Sequence, residues 1–278
     1  MAHAGLTKSL LFAAAMTWWC LSAQAGEYED AERAYLNGEY VRAAAAFGKA
    51  AERGYAPAQF NLATMYADGL GVDQNDTQAT LWYLKAAEQG LANAQYNLGL
   101  MYSQGRGVAP DGRLAAPWYR KAAAQGHAKA QYNLGFMYDK GLGVPQDATQ
   151  ALHWYGKAAE QGHANAQFHL GTLYEQGLGV AQDNALAASW YRKSAEQGLD
   201  HAQYRLSLMY LGGLGVSRDF MEAHKWAQIA YLGGFVPADE VRLQAEQQLT
   251  PAQIEKSRSM AKAWFKVYVD SVLAKAGG

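Results

Sequence analysis

The chain has 278 residues, a formal net charge of −1, 50% hydrophobic residues and a single cysteine. So even a charge balance gives no electrostatic footprint for nucleic acid or an anionic membrane, and one cysteine cannot close an internal disulfide. Length alone allows one or two globular domains.

Residues 1–25 read as a signal peptide. Lys8 is their only charged residue, Ser9 to Leu21 is largely apolar, and Ala23-Gln24-Ala25 supplies a small-residue cleavage site before Gly26. The apolar run falls short of the ~20 residues that span a bilayer, so cleavage is expected over retention as an anchor. A lipoprotein signal is disfavoured because Trp18 and Trp19 precede Cys20. Cleavage would remove the only cysteine and leave a charge one unit more negative than −1. The mature chain is then expected in a bacterial periplasm or the medium, without a membrane span, and held together by packing alone.

Residues 26–57 read as an incomplete, capping repeat. Tyr35, the turn Asn37-Gly38 and the segment Val41 to Arg53 suggest a helical hairpin, and Phe47, Lys49, Ala50 and Ala51 anticipate Tyr83, Lys85, Ala86 and Ala87, 36 residues on. Terminal repeats are usually atypical because they close the array.

Residues 58–237 hold five copies of one unit, starting at Ala58, Ala94, Ala130, Ala166 and Ala202, 36 residues apart. A fixed period in this range marks an array of one supersecondary unit, expected here as a single elongated domain. In each copy a first helix precedes a Gly-x-Gly loop and a second helix. Ala94, Leu98, Met101 and Tyr102 fall on one face of the first helix, which should be buried. Gly99 and Gly135 share their column with Ala63, Gly171 and Ser207, so close approach of the paired helix is expected. The Gly-x-Gly pairs suit a left-handed helix end. A dinucleotide loop would need a third glycine and a preceding strand. Asp73 to Asp76 begins like a calcium loop but lacks its glycine and terminal glutamate, so neither a metal nor a cofactor is expected. Ala79, Tyr83 and Ala86, with the column Trp82, Trp118, Trp154, Trp190 and Trp226, mark the core face of the second helix. Lys85, Lys121, Lys157 and Lys193 lie three residues before Glu88, Ala124, Glu160 and Glu196 and read as a solvated outer face. Pro117 is expected to delay or kink its helix.

The succession A-Q-Y-N-L-G-x-M-Y, G-x-G-V and W-Y-x-K-A-A-E-Q-G resembles the Sel1-like repeat, a relative of the tetratricopeptide repeat. The resemblance implies an all-α, right-handed α-solenoid of helix-turn-helix repeats whose concave surface binds a protein or peptide; a monomer is expected. Some secreted relatives carry a disulfide in each repeat, a few with β-lactam or cell-wall chemistry. This chain has no cysteine in any repeat and departs from that branch.

Residues 238–278 are expected to cap the array. A short helix from Asp239 to Gln248 precedes a longer one, where Thr250, Pro251 and Gln253 make an N-cap and capping box. Ile254, Ala261, Trp264, Phe265, Tyr268, Val272 and Leu273 form an apolar stripe that covers the open end or, alternatively, binds a partner. No metalloprotease motif, nucleophile elbow or cysteine nucleophile occurs outside the signal, and His127 and His163 read as packing or surface residues. The expectation is a non-enzymatic scaffold; the alternatives are a cell-wall-related or β-lactam hydrolase and a peptidoglycan-binding module.

Positions where near-identical repeats differ carry the specificity. By resemblance to tetratricopeptide repeats, whose first helices line the groove, the candidate partner-binding residues are Tyr96, Asn97, Leu100 and Gln104, then Tyr132, Asn133, Phe136 and Lys140. They continue with Phe168, His169, Thr172 and Gln176, and end at Tyr204 and Arg205. Asn amides can donate to and accept from the main chain of an extended peptide, and they can equally cap neighbouring helices. His169 and Arg205 are expected to favour an anionic group.

Overall fold

In a computed structural model of the chain, residues 26–276 are described; the expected signal peptide lies outside them. Among the described residues there are helices and no strands. Helix α1 covers 26–36 and α2 Tyr40–Glu52. The first helices of the repeats are α3 (Ala56–Asp68), α5 (Ala92–Gln104), α7 (Ala128–Lys140), α9 (Ala164–Gln176) and α11 (Asp200–Gly212). Their second helices are α4 (Asp76–Glu88), α6 (Gly112–Ala124), α8 (Ala148–Glu160), α10 (Asn184–Glu196) and α12 (Phe220–Leu232), followed by α13 (Ala238–Glu246) and α14 (Pro251–Ala276).

Local chemistry sets these boundaries. First helices end on left-handed glycines, as at Gly69 (φ 69°) and Gly105 (φ 72°), which free the helix end without a Cβ penalty. The second glycine of a pair has a further constraint: at Gly107 (φ 68°) a Cβ would run into the Asp76 carbonyl at the start of α4. Second helices start on a side-chain cap. Asn75, Asp111, Asp147, Asp183 and Asp219 each accept a backbone N–H from the first turn. Asn75, which seemed to open an ion loop, is therefore a helix cap. α6 starts in the same register as its counterparts, so Pro117 does not delay it. The exposed proline sits inside the helix, where only one intrahelical N–H donor is lost.

Contacts divide the chain into two compact units at residue 130, within α7. Repeat helices pack on their sequence neighbours and build local cores, so no single centre holds the array together. In the first unit, Phe47, Leu62 and Met65 belong to one core cluster and Tyr83, Leu98 and Met101 to the next. In the second, Tyr155 and Leu170 form one core, Tyr191, Leu206 and Trp226 another, to which α14 adds Ala261. α14 opens on the capping box, with Thr250 N donating to Gln253 Oε1 (2.9 Å) and Gln253 N to Thr250 Oγ1 (3.3 Å). Its apolar stripe is not buried throughout, because Val272 and Leu273 are exposed. No helix among the described residues is long and apolar enough to cross a membrane.

The lysine column of the second helices is tied to tryptophan. Lys85, Lys121 and Lys193 place their ammonium 3.9, 4.1 and 3.9 Å from the ring centres of Trp82, Trp118 and Trp190. Each pair sits at i,i+3, and the ring's negative face attracts the cation.

Candidate functional site

The variable polar columns of the first helices meet at tyrosine hydroxyls delivered by the second helices. In the first unit Tyr83 is 4% exposed, and its hydroxyl lies 3.0 Å from Thr64 Oγ1. Thr64 donates its own proton to the Phe60 carbonyl (3.1 Å), so Tyr83 must donate to Thr64. Burial raises the Tyr83 pKa, opposed by Thr64 and then by Asn97, so the Asn97 side chain lies beside that hydroxyl from the neighbouring repeat. Likewise Ser103 Oγ lies 3.0 Å from the Tyr119 hydroxyl.

In the second unit the same geometry carries different chemistry. Tyr191 donates to Glu175 Oε2 (2.6 Å) and lies 3.1 Å from Thr172 Oγ1; burial first, then Glu175, raises its pKa. Arg205 forms an ion pair with the same Glu175, so its charge is already engaged. The anion expected at Arg205 would have to displace that carboxylate. His169 stacks on Tyr155 with 5.1 Å between ring centres and an 11° interplanar angle. Fully buried, Tyr155 has a hydroxyl that makes no hydrogen bond by geometry among the described residues, and burial first, then the nearby Asp139, raises its pKa.

The aromatic candidates are anchored by the histidines. Tyr96 stacks on His127 (4.5 Å) and Tyr132 on His163 (4.6 Å). His127 Nδ1 accepts from Ala130 N (3.2 Å) and His163 Nδ1 from Ala166 N (3.3 Å), so both cap a first helix. Burial lowers the pKa of His127, consistent with a neutral ring whose Nδ1 is bare. Phe168 lies against Tyr191 (5.6 Å) and Tyr204 against Phe235 (5.2 Å). Leu100, Asn133 and Phe136 are half-buried, while Gln104, Lys140 and Gln176 are exposed at the helix ends.

A cavity of about 460 Å³ opens in the first unit, where Asn61, Thr64 and Asn97 of the candidate columns meet Phe47 and Phe60. α1 adds Glu32, Tyr35 and Leu36 to its wall. Tyr28 donates to Glu32 Oε1 (2.7 Å) and accepts from Asn61 Nδ2 (3.1 Å); burial first, then Glu32, pushes its pKa up to about 12. Glu32, Tyr35 and Leu36 carry no signal at the 36-residue period, since the turn after α1 is shorter than the Gly-x-Gly loops and puts α1 out of register with α3.

The family model described as Sel1 repeat matches residues 56–91, 92–127, 128–163, 164–199 and 200–235. The chain belongs to the Sel1 repeat family. It is similar to the crystal structure of a Sel1 repeat protein from Oxalobacter formigenes, with 34% identity over 87% of this chain and 96% of that one and a TM-score of 0.71. It is also similar to c5321, a protective antigen of uropathogenic Escherichia coli with an SLR fold, at 32% identity over 93% of this chain and 65% of that one and a TM-score of 0.59. No curated protein matches the chain. The all-α Sel1 repeat chain is thus an α-solenoid scaffold of a kind typical of protein–protein interaction.

Two further features of this Sel1 repeat protein are structural. A glutamine in every repeat is buried between helices: Gln95 Nε2 donates to Ala87 O (3.1 Å) and Gln95 Oε1 accepts from Gln125 Nε2 (2.8 Å), which also reaches Gly90 O (2.9 Å). Gln59 and Gln89 repeat the relay. Near the end of the chain, His224 lies 2.9 Å from Ser257 Oγ through Nδ1 and 3.0 Å from Glu246 Oε1 through Nε2. This has the members of a Ser-His-Glu triad, yet Ser257 and His224 are both 0% exposed and Ser257 donates to the Met221 carbonyl (2.9 Å). A nucleophile must meet its substrate, so the cluster serves to join α12, α13 and α14. No group of three or more metal-ligating side chains occurs among the described residues.

Proposed function

We propose that this Sel1 repeat protein is an exported scaffold that binds a protein or peptide on the first-helix face of its units. The single observation that carries the reading is the cavity of about 460 Å³ where the Asn61, Thr64 and Asn97 columns meet an aromatic floor. Apolar cavities with a few fixed polar groups are the usual form of a binding site. Half-buried Leu100 and Phe136 offer apolar contacts on the same face within each unit. Residues 1–25, by their composition, support export to a bacterial periplasm or the medium.

Selection of random displayed peptides against the purified chain tests the binding. Peptides that bind the wild type are expected to lose at least about tenfold in affinity with Leu100→Asp plus Phe136→Asp, since a carboxylate would be buried at each contact. They should retain affinity with Leu114→Asp plus Leu186→Asp on exposed second-helix positions. Circular dichroism confirms that both variants stay folded. Failure to enrich any peptide, or equal loss in both variants, contradicts the reading.

A further inference from the structure

The hydrogen-bond chain around the first-unit cavity fixes which way the Asn61 amide faces. Tyr28 has one proton and gives it to Glu32, so Asn61 must present its nitrogen to that hydroxyl. Thr64 gives its proton to Phe60 O and takes that of Tyr83, so its hydroxyl has no proton left for a ligand. With its nitrogen turned to Tyr28, the Asn61 amide turns its carbonyl oxygen the other way. Asn61 keeps one further N–H, but Glu32 decides the sign of the site: it is a carboxylate, and none of the lining residues is cationic. The remaining wall is aromatic and aliphatic, from Phe47, Phe60, Tyr35 and Leu36. An amide carbonyl, a carboxylate and a wall of aromatic rings favour a cation that donates hydrogen bonds. The apolar floor favours a stem of methylenes behind it.

We propose that this cavity takes a primary ammonium group on an apolar stem, presented as a lysine side chain by the bound peptide. The proposal rests on the peptide-binding reading above and adds the chemistry of its anchor residue. The Lys ε-ammonium would sit against Glu32 with the Asn61 carbonyl as a further acceptor, and its methylenes would cover Phe47 and Phe60.

Titration with Nα-acetyl-lysine methylamide, followed by NMR of the Asn61 and Asn97 side-chain amides, tests it directly. Saturable shifts are expected in the millimolar range, up to about 20 mM, for a ligand of this size. Nα-acetyl-norleucine methylamide, which keeps the stem and lacks the charge, should bind at least about tenfold more weakly. Glu32→Gln should weaken the lysine compound by a similar factor and leave the helical spectrum unchanged, because Glu32 is exposed. Absence of shifts, equal binding of the norleucine compound, or unchanged binding by Glu32→Gln overturns the proposal. The two readings fail separately: displayed peptides that bind without a lysine or lose nothing in Glu32→Gln overturn the anchor alone, whereas a selection that enriches no peptide overturns the scaffold reading and leaves the amine titration to judge the cavity.

Discussion

His169 stands where the preceding repeats place asparagine, and it leaves a mark on its neighbour. His169 lies flat on Tyr155, whose buried hydroxyl makes no hydrogen bond by geometry among the described residues and has only the nearby Asp139. Asparagine in that column can donate to a tyrosine oxygen, as Asn61 does to Tyr28. His169→Asn is therefore expected to stabilise the chain by up to about 1 kcal/mol in urea unfolding at neutral pH. The gain has a pH dependence. Burial lowers the pKa of His169, so the folded state holds the neutral ring and binds fewer protons than the unfolded chain. The stability that goes with the neutral ring is present above the unfolded value of about 6.5 and is lost as pH falls through it, so the advantage of asparagine should widen below that pH. A variant less stable than wild type, or a difference that does not change with pH, would show that His169 is not the source of strain. At this scale the sequence was only half legible. The Asn-to-His-to-Arg column stood out because near-identical repeats differ there, but its partners lie across a helix pair. Neither the Tyr155 hydroxyl nor the Glu175 carboxylate that occupies Arg205 leaves a trace in periodicity.

Among the helices, the small-residue column separates packing from propensity. Gly99 lies within α5, where a Cβ would come 2.7 Å from the Tyr119 ring; Gly156 lies within α8, where a Cβ would meet open space. Glycine in a helix costs about 1 kcal/mol against alanine, so propensity alone predicts that both alanine variants gain stability. Overpacking reverses the sign at the first site: Gly99→Ala is expected to lose about 1–3 kcal/mol, and Gly156→Ala to gain about 0.5–1 kcal/mol. Equal effects in thermal unfolding would mean that the Tyr119 ring moves away freely. The close approach at Gly99 was legible because its column holds only small residues, and the glycine ends were legible from their 36-residue spacing. The caps at Asp111, Asp147, Asp183 and Asp219 were equally regular in sequence, yet the apolar period does not include them. His127 and His163 were harder still, since histidine caps by Nδ1 only when the ring turns onto its own helix.

For the molecule as a whole, five copies of one unit determine the architecture, and the departures from the repeat determine what the surface can do. The repeats bury their leucine and alanine columns, and the first four also their tyrosine column, against sequence neighbours, which is why the fold was readable from period alone. The division into two compact units was not, because contact density between repeats has no counterpart in the spacing of residues. Nor was the cavity beside Glu32, which needs α1 to lie against α3 and α5 residues far along the chain. Site-specific photocrosslinking tests the central claim, that the first-helix faces are the binding surface. A photoreactive phenylalanine analogue at Leu100 or Phe136 is expected to crosslink to a selected lysine-bearing peptide, and the same analogue at Leu114 or Leu186 to give no adduct. Adducts from the second-helix positions, with none from Leu100 or Phe136, would contradict the account.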